Sequence, residues 1–372
     1  MNLRLILLAV TVTAAGCGMQ TQREPAGKPP ESEAAARYDA YAAVVAALAS
    51  GQPALQTIAL ETFLESDRPP PHQTLVPLAE AADPRVRMRA LTLLGLTRRP
   101  DLLALFRRKL QDSDPTVRLA AAFALSETGD LSRVVDLRDG LASSDVTLRR
   151  TAAWLLGMMG NASAIGMLKV KLEDPDAVVV LRTAEAMYRL GSSDGLDAVR
   201  ALLEHDRHQI RYWAVRLLGR IGTTSDVPRL EKLCQSRFLD VKFAAIAAVA
   251  ELGDFKRIGL LLDMTEAPEA DVRLLAATEL GETAYTPAIE RLEKILAAAD
   301  PVERTTAAAA IVRIQTDRRP WKSRILADRP RQQGAATNEI MPPTGVEPVS
   351  PLPRQPGARP LTPPLGPVPP RR

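Results

Sequence analysis

Residues 114–129 read DPTVRLAAAFALSETG and contain, in order, a turn, a helix start, an amphipathic helix and a glycine stop. The same pattern recurs through most of the chain at a spacing of 31 residues. Each copy is named here by its first residue, and the nine copies begin at Gln52, Asp83, Asp114, Asp145, Asp176, Arg207, Phe238, Glu269 and Asp300. A register this regular means that one repeated motif decides the fold.

Equivalent positions of the copies carry the same type of residue. The fourth position is aliphatic in most copies, as in Val86, Val117 and Val241. Four and eight residues later come a small residue and a large apolar one, so the apolar sites form one stripe along a helix. The helix is expected to stop at a glycine with a left-handed backbone in five copies. These glycines are Gly129, Gly160, Gly191, Gly222 and Gly253.

A second amphipathic helix follows within each copy, for example through Ile165, Leu168 and Leu172. Asp-Pro pairs such as Asp114-Pro115 suit the next helix start, because Asp caps free N–H groups and Pro tolerates the first turn. One hairpin cannot bury its own stripe, so neighbouring hairpins must stack. The sequence therefore predicts an all-α fold, an α-solenoid of about nine 31-residue helical hairpins.

The repeated columns resemble a known family. The pattern DPxVRxxAxxxLG, begun by residues 83–87 and again by residues 114–118, resembles the HEAT repeat over roughly residues 52–327. The short period is similar to that of the HEAT-like repeats of the phycobilisome-lyase type. The resemblance implies a HEAT-like superhelix, but it implies little about function, since such repeats build many unrelated scaffolds.

Residues 1–17 read MNLRLILLAVTVTAAGC and have the pattern of a secretion signal. One arginine precedes an apolar run that is too short to span a bilayer as a mature helix. Residues 14–17 (AAGC) resemble a bacterial lipobox, which implies cleavage before Cys17 and lipidation of its thiol. Ordinary signal cleavage near Ala15 is the alternative. We therefore expect a lipid-anchored protein of the cell envelope, on the periplasmic face of the outer membrane or the outer face of the cytoplasmic membrane.

The segments outside the repeats differ in composition. Residues 18–33 are polar and Pro-containing and are expected to form a flexible tether. The repeat solenoid is expected over residues 34–327, with an N-terminal cap helix in which Tyr41, Val44 and Leu48 fall where a preceding unit would carry its second helix. A short final helix is expected to begin at Pro320, with Trp321 covering the last apolar face.

Residues 328–372 are predicted to form a disordered, Pro-rich basic tail that cannot build a core. Residues 317–372 hold ten basic and four acidic residues, while the whole chain has a net charge of +4. The repeats are therefore acidic overall, which argues against a nucleic-acid-binding solenoid. The tail is interpreted as a solvated spacer, or alternatively as a contact with anionic envelope polymers.

No constellation of residues typical of catalysis is present in the sequence, so we predict no enzyme activity, no cofactor, no metal and no small-molecule substrate. The pair His205 and His208 has metal-ligand spacing, but it occupies the turn between units. The HEAT-type hydroxylases use His-Glu pairs, whereas here the histidines are followed by Gln or Asp. Cys234 falls in an apolar column and is expected to be a buried, inert thiol.

The repeated Asp and Arg columns are interpreted as structural. Because they recur once in each unit, they would stack into a ladder of opposite charges along the turns. Each exposed pair would contribute only about 0–1 kcal/mol, and a network more.

The outward face of the first helices is the predicted partner-binding surface. Aromatic, Arg and Met residues concentrate there in the middle units, and Trp, Tyr and Arg most often anchor protein interfaces. The alternative is that some of these side chains fill the core between hairpins. The predicted partner-binding residues are Phe123, Arg150, Trp154, Met158, Arg182, Arg189, Tyr212, Trp213, Arg216, Arg220 and Phe243.

These observations favour a non-catalytic protein-binding scaffold, lipid-anchored in the cell envelope, that binds a protein or peptide partner on its concave face. A second hypothesis is an envelope assembly or structural factor that uses the Pro-rich tail. A third is a subunit of a lyase-type enzyme, although no residue that would carry such an activity can be transferred from the resemblance.

Overall fold

A computed structural model describes residues 31–66 and 69–316, and this part of the chain consists of helices and turns without a strand. The helices are α1 (Glu31–Leu48), α2 (Pro53–Glu65), α3 (His72–Leu75), α4 (Pro84–Leu96), α5 (Leu103–Lys109), α6 (Pro115–Glu127), α7 (Val134–Ala142), α8 (Val146–Met158), α9 (Ile165–Lys169), α10 (Ala177–Arg189), α11 (Leu196–Ala201), α12 (His208–Ile221), α13 (Val227–Leu233), α14 (Leu239–Glu251), α15 (Ile258–Met264), α16 (Ala270–Glu282), α17 (Ala288–Leu296) and α18 (Pro301–Gln315). Short 3₁₀ segments flank several of them, at Pro77–Glu80, Pro100–Leu102, Leu131–Arg133, Ala162–Ala164, Val170–Glu173, Leu202–Glu204 and Thr224–Asp226.

The even-numbered helices are the first helices of the nine units, and the odd-numbered ones from α3 to α17 are the second helices. The predicted all-α solenoid of helical hairpins is therefore confirmed. The aliphatic and small columns are buried as expected, with Val117, Ala121 and Leu125 of α6 at most 1% exposed. None of the described helices has the length and apolarity needed to cross a bilayer.

Most first helices begin at the predicted aspartate cap. Asp114 Oδ1 accepts the backbone N–H groups of Thr116 at 2.8 Å and Val117 at 3.3 Å, and Pro115 opens the helix. Side-chain caps of the same kind are present at Asp83, Asp145, Asp176 and Asp300. Each cap satisfies donors that the first helical turn leaves unpaired.

The basic column is used differently from the predicted charge ladder. Arg149 Nη1 donates to the carbonyls of Ser143 and Ser144 at 3.1 and 2.9 Å, and its other nitrogens form two hydrogen bonds with Asp174. The guanidinium thus ties its helix to the turn that precedes it. Arg87, Arg118, Arg211, Arg273 and Arg304 bind the corresponding carbonyl pairs. The ion pairs that link successive units use Asp112, Asp174 and Glu303 in place of the expected cap aspartates, which mostly satisfy their own helices.

The first helices close into a ring. Each even-numbered helix packs against the next one, and α18 packs against α2. The helix α1 lies in the outer layer, where it contacts both α18 and α2. The expected N-terminal cap helix therefore covers no open end, because it fills the outer position between the last and first inner helices. The even-numbered helices are called the inner helices below.

The inner helices also pair alternately, so that the pattern of pairing repeats at every second unit. A Cβ added to the glycine of one helix would lie 2.6–2.8 Å from the Cα of an alanine in the next helix, closer than side chains allow. The pairs are Gly95 with Ala124, Gly157 with Ala186, Gly219 with Ala248, and Gly281 with Ala310. Glycine permits this approach because it has no side chain. Eight inner helices thus form four close pairs, and α2 remains outside them.

The glycine stops are confirmed in four of the five predicted positions, which have positive φ: Gly129, Gly160, Gly191 and Gly253. Gly222 is the correction, since α12 runs on to Ile221 and Gly222 has a φ of −72°. In the Asp83 unit the same column holds Arg98, whose φ is +52°. That residue adopts the left-handed backbone without the advantage of glycine.

Some of the predictions concern residues outside the described ranges. They are the signal peptide with Cys17, most of the tether, the short final helix at Pro320 and Trp321, and the Pro-rich tail.

Candidate functional site

The inner face of the ring carries a cluster of ionised side chains contributed by five inner helices. Its members, called the interior ion cluster, are Glu65 of α2, Glu185 and Arg189 of α10, Arg216 and Arg220 of α12, Glu279 and Glu282 of α16, and Arg313 of α18. Helices that are not neighbours meet here, which places the first helices on the inner side of the ring.

Arg220 is the centre of the cluster. Its Nη2 atom lies 2.9 Å from Glu65 Oε1 and 2.7 Å from Glu282 Oε2, and its Nη1 atom lies 3.6 Å from Glu185 Oε1. Arg313 extends the network, with Nη1 at 3.4 Å from Glu282 Oε1 and Nε at 3.3 Å from Glu65 Oε2. Arg220 therefore joins α12 to α2, α10 and α16 at once.

A second group of contacts lies beside it on α12 and α16. The Tyr212 hydroxyl donates to Glu279 Oε1 at 2.8 Å, and Arg216 Nη1 donates to the Tyr212 oxygen at 2.9 Å. Arg216 also pairs with Glu282. Each of these side chains is thereby fixed by at least one charged neighbour.

Burial and the neighbouring arginines act in opposite directions on the pKa values of the acids in the cluster. Burial acts to raise the pKa of Glu185, but Arg189, Arg182 and Arg220 outweigh it and hold that pKa at about 2. Burial likewise opposes ionisation of Glu282, and Arg216 and Arg220 lower its pKa.

At Glu279 burial prevails over the attraction of Arg216, so its pKa is raised. Its Oε2 atom is buried without a hydrogen-bond partner. An ionised oxygen left unpaired in the interior is costly, which agrees with the raised pKa of this carboxyl.

The space beside the cluster is small. A cavity of about 90 Å³ is lined by residues that include Glu65, Arg189, Arg220, Glu251 and Arg313. Ligand pockets usually measure about 300–1,000 Å³. This cavity is therefore smaller than a usual ligand pocket, and side chains paired between helices line it.

Two predicted partner-binding residues are core residues. Phe123 is 0% exposed and Phe243 is 1% exposed, so neither can reach a partner at the surface. Both lie on the second helix of a Gly–Ala pair, α6 and α14, and the Phe123 ring lies close to Gly95 of the preceding helix. The prediction is wrong for these two, and the alternative that such side chains fill the core is correct for them.

Most of the other predicted residues are engaged within the protein. Arg150 forms two hydrogen bonds with Asp176, at 2.9 and 2.6 Å. Arg182 and Arg189 both pair with Glu185, at 2.9 and 3.1 Å.

Three more of the predicted residues belong to the ion-paired inner face, namely Tyr212, Arg216 and Arg220. Trp154 and Met158 are partly buried against an apolar cluster built around α7, α8 and α10. Sequence reasoning had found the inner face but had not paired its arginines with Glu65, Glu279 and Glu282.

Trp213 is the predicted partner-binding residue whose side chain remains exposed enough to contact a partner. Its side chain is 47% exposed, and it lies in the first half of α12 beside the interior. The Tyr212 ring meets it edge-on with ring centroids 5.0 Å apart, and the Arg216 guanidinium lies 5.7 Å from its centroid. Because Tyr212 and Arg216 are fixed by the ion network, Trp213 is presented on a rigid support.

The predicted turn histidines and the cysteine have local roles. His205 Nδ1 accepts the backbone N–H of Arg207 at 3.1 Å, while His208 stacks on Phe238 and contacts Asp240. Among the described residues no group of three or more His, Cys, Asp or Glu side chains is arranged to hold a metal. Cys234 is buried, and desolvation raises its pKa to about 11, as expected of an inert thiol.

Comparison of the sequence with models of known protein families shows the family to which the chain belongs. A model of HEAT repeats matches residues 73–146, 134–211 and 201–273, together more than half of the chain. The chain belongs to the HEAT-repeat family. A search of curated proteins finds no match to this HEAT-repeat protein.

Solved structures show similarity of fold at low identity. The HEAT-repeat chain is similar to one in the complex of CpcE and CpcF of phycocyanin lyase from Nostoc sp., with 23% identity, a TM-score of 0.40, and coverage of 56% of this chain and 94% of that one. Human deoxyhypusine hydroxylase shows 20% identity and a TM-score of 0.31, and the match covers 66% of this chain and 97% of that one. An engineered protein shows 19% identity and a TM-score of 0.30, and the match covers 76% of this chain and 95% of that one.

Proposed function

We propose that this HEAT-repeat ring is a non-catalytic protein-binding scaffold, anchored in the bacterial cell envelope by a lipid on Cys17. The observation that carries the proposal is Trp213. A half-exposed Trp on a rigid helix loses little conformational entropy on binding, and such residues frequently dominate interface energies.

The partner contacts the ring at the side where Trp213 lies, and this replaces the predicted open concave groove. Tyr212 and Arg216 pack against Trp213 and hold its ring in place. The neighbouring first helices α10 and α16 carry partly exposed side chains, among them Arg182 and Leu274. A surface of this composition suits a protein partner with an apolar anchor and a polar rim.

The test is a crosslinking pull-down from envelope extract with the full chain, a Trp213→Ala variant and a Val170→Ala control. Val170 is 73% exposed and lies in the outer layer, so both substitutions remove an exposed apolar side chain. Surface changes of this kind usually alter stability by within about 0.5 kcal/mol. We expect the wild type and the control to retain one partner that the Trp213 variant loses, with affinity falling at least about 30-fold for a loss of about 2 kcal/mol or more.

Equal recovery of the partner by all three forms would remove the Trp213 surface from the proposal. Recovery of no specific partner by any form would mean that the scaffold hypothesis has to be abandoned. The lipid is tested separately with a Cys17→Ala variant, which we expect to lose both metabolic labelling by an alkyne fatty acid and its place in the membrane fraction. A variant that keeps the label would exclude Cys17 as the acceptor.

A further inference from the structure

The ring is completed by two half-hairpins from opposite ends of the chain. The last described inner helix is α18, and the outer position beside it is taken by α1, which has no inner helix before it in the described chain. In the other units the outer helix carries apolar residues at a common set of positions, as Ile165, Leu168 and Leu172 do. Helix α1 carries Tyr41, Val44 and Leu48 in the same spacing.

The ninth unit has no such pattern of its own. The corresponding positions hold Pro320, Ser323 and Ala327, which offer no apolar stripe in the register of the other outer helices. In the described chain the outer position beside α18 is occupied by α1.

The contacts of α1 are those of a helix lying in an apolar groove. Val44 is 0% exposed and Leu48 is 1% exposed. The Tyr41 ring meets Phe63 of α2 edge-on at 5.7 Å between centroids, and Gln56 Nε2 donates to the carbonyl of Leu48 at 3.1 Å. The groove formed by α18 and α2 thus accepts an amphipathic helix with apolar residues at i, i+3 and i+7.

This joint differs from the others in its chain connectivity. At every other joint of the described chain the outer helix follows one inner helix and precedes the next, whereas α1 is continuous with α2 only. The joint has no Gly–Ala pair, because α18 has Val312 at the position of the pairing glycine, and the joints α2–α4, α6–α8, α10–α12 and α14–α16 also lack one. Glu65 of α2 is tied to the ring by its ion pairs with Arg220 and Arg313. The turn from α1 to α2 is exposed, and Gly51 within it has a φ of +69°.

We propose that the groove between α18 and α2 is a reversible acceptor site for an amphipathic helix, and that α1 is its resident intramolecular ligand. When α1 leaves, the ring opens at this joint and nowhere else. The four Gly–Ala modules remain folded, since the contacts within each pair do not involve α1, and only α18 loses the cover of α1 on its outer side. The occupant of the site is α1, and tethering gives it a local concentration in the millimolar range.

The experiment uses the full chain with a specific protease site inserted at the exposed turn around Gly51. After cleavage, the protein is mixed with a fluorescent synthetic peptide of residues 31–50, and binding is followed by fluorescence anisotropy. The matched control peptide carries Val44→Asp and Leu48→Asp. We expect the cleaved protein to keep α1 during gel filtration and to exchange it for the labelled peptide, while the uncleaved protein binds the peptide at least tenfold more weakly.

Three outcomes would overturn the proposal. They are release of α1 on cleavage without uptake of the peptide, permanent retention of α1 without exchange, and equal uptake of the control peptide. A second measurement needs no insertion, because hydrogen exchange of residues 40–48 can be compared with that of the outer helix α17 in the unmodified chain. We expect at least tenfold faster exchange in α1, and equal protection of the two helices would refute a reversible joint.

Discussion

Replacing Gly157 by Ala tests the close pairing of inner helices. The added Cβ would lie 2.6 Å from Ala186 Cα and 2.7 Å from its Cβ. Carbon atoms in contact prefer about 3.5–4.0 Å, so α8 and α10 would have to separate by roughly 1 Å. Such overpacking costs about 1–3 kcal/mol, here near the upper limit because the obstacle is backbone, while Ala gains about 1 kcal/mol over Gly in helix propensity.

The expected net effect is a loss of about 2 kcal/mol in the free energy of unfolding, measured by urea denaturation and circular dichroism. The melting temperature should fall by roughly 4 °C. The control is Gly166→Ala in the outer helix α9, where an added Cβ would meet nothing within 4 Å. That variant should be as stable as the wild type or up to about 1 kcal/mol more stable. A Gly157 variant that matches this control would refute the pairing.

Three further predictions concern charge, backbone and capping. The pKa of Glu185 is about 2 in the folded protein and ordinarily 4.5, so its ionisation stabilises the fold by about 3 kcal/mol above pH 4.5. This stabilisation is lost as the pH falls towards 2. The Glu185→Gln variant should therefore show a flatter dependence of the free energy of unfolding on pH between 4.5 and 2. Arg98→Gly relieves the +52° φ, worth about 1 kcal/mol, but it also removes the guanidinium from Glu127, whose side chain is only 5% exposed. Because a nearly buried carboxylate without its partner costs at least as much, the melting temperature should not rise, and a higher value would contradict this. Asp114→Ala should cost about 1 kcal/mol in urea denaturation, through the loss of two capping hydrogen bonds, and an unchanged midpoint would exclude the capping role.

The hairpins were predictable because their determinants are local. A cap such as Asp114, an apolar stripe such as Val117 to Leu125, and a stop such as Gly129 act within one helix, and the regular register repeats them. These signals identified each first helix and the apolar face that it buries in the core. The resemblance to HEAT repeats added the stacking of the hairpins.

Closure was not predictable in the same way, since it depends on small rotations that accumulate over all the hairpins. The burial of Phe123 depends on packing between units too, because Gly95 of the preceding helix lies close to its ring. One signal was present in the sequence and went unused, namely Gly95, Gly157, Gly219 and Gly281, which recur at the same position of every second unit. It would have shown that neighbouring units are not equivalent.

Only the arginines of the interior ion cluster could be identified from the sequence, for a related reason. Arg216 and Arg220 stood out on the sequence as candidate contacts, but their acids come from distant helices, and Glu65 lies 155 positions before Arg220 in the chain. A sequence pattern shows which residues share one helix face and does not show which faces meet across a ring. The arginines were therefore predicted to bind a partner protein, whereas they form ion pairs with glutamates of the same chain.

Closure through α1 also fixes how many repeats this protein can have. An open array can gain or lose a repeat at modest cost, since each repeat contacts only its neighbours. A ring must complete one full rotation in a whole number of hairpins, so nine hairpins require a turn of about 40° each. Insertion or loss of a single unit would leave a mismatch of that size at the joint between α18 and α2. Divergence in this chain should therefore proceed by substitution within units, and the number of units should stay constant.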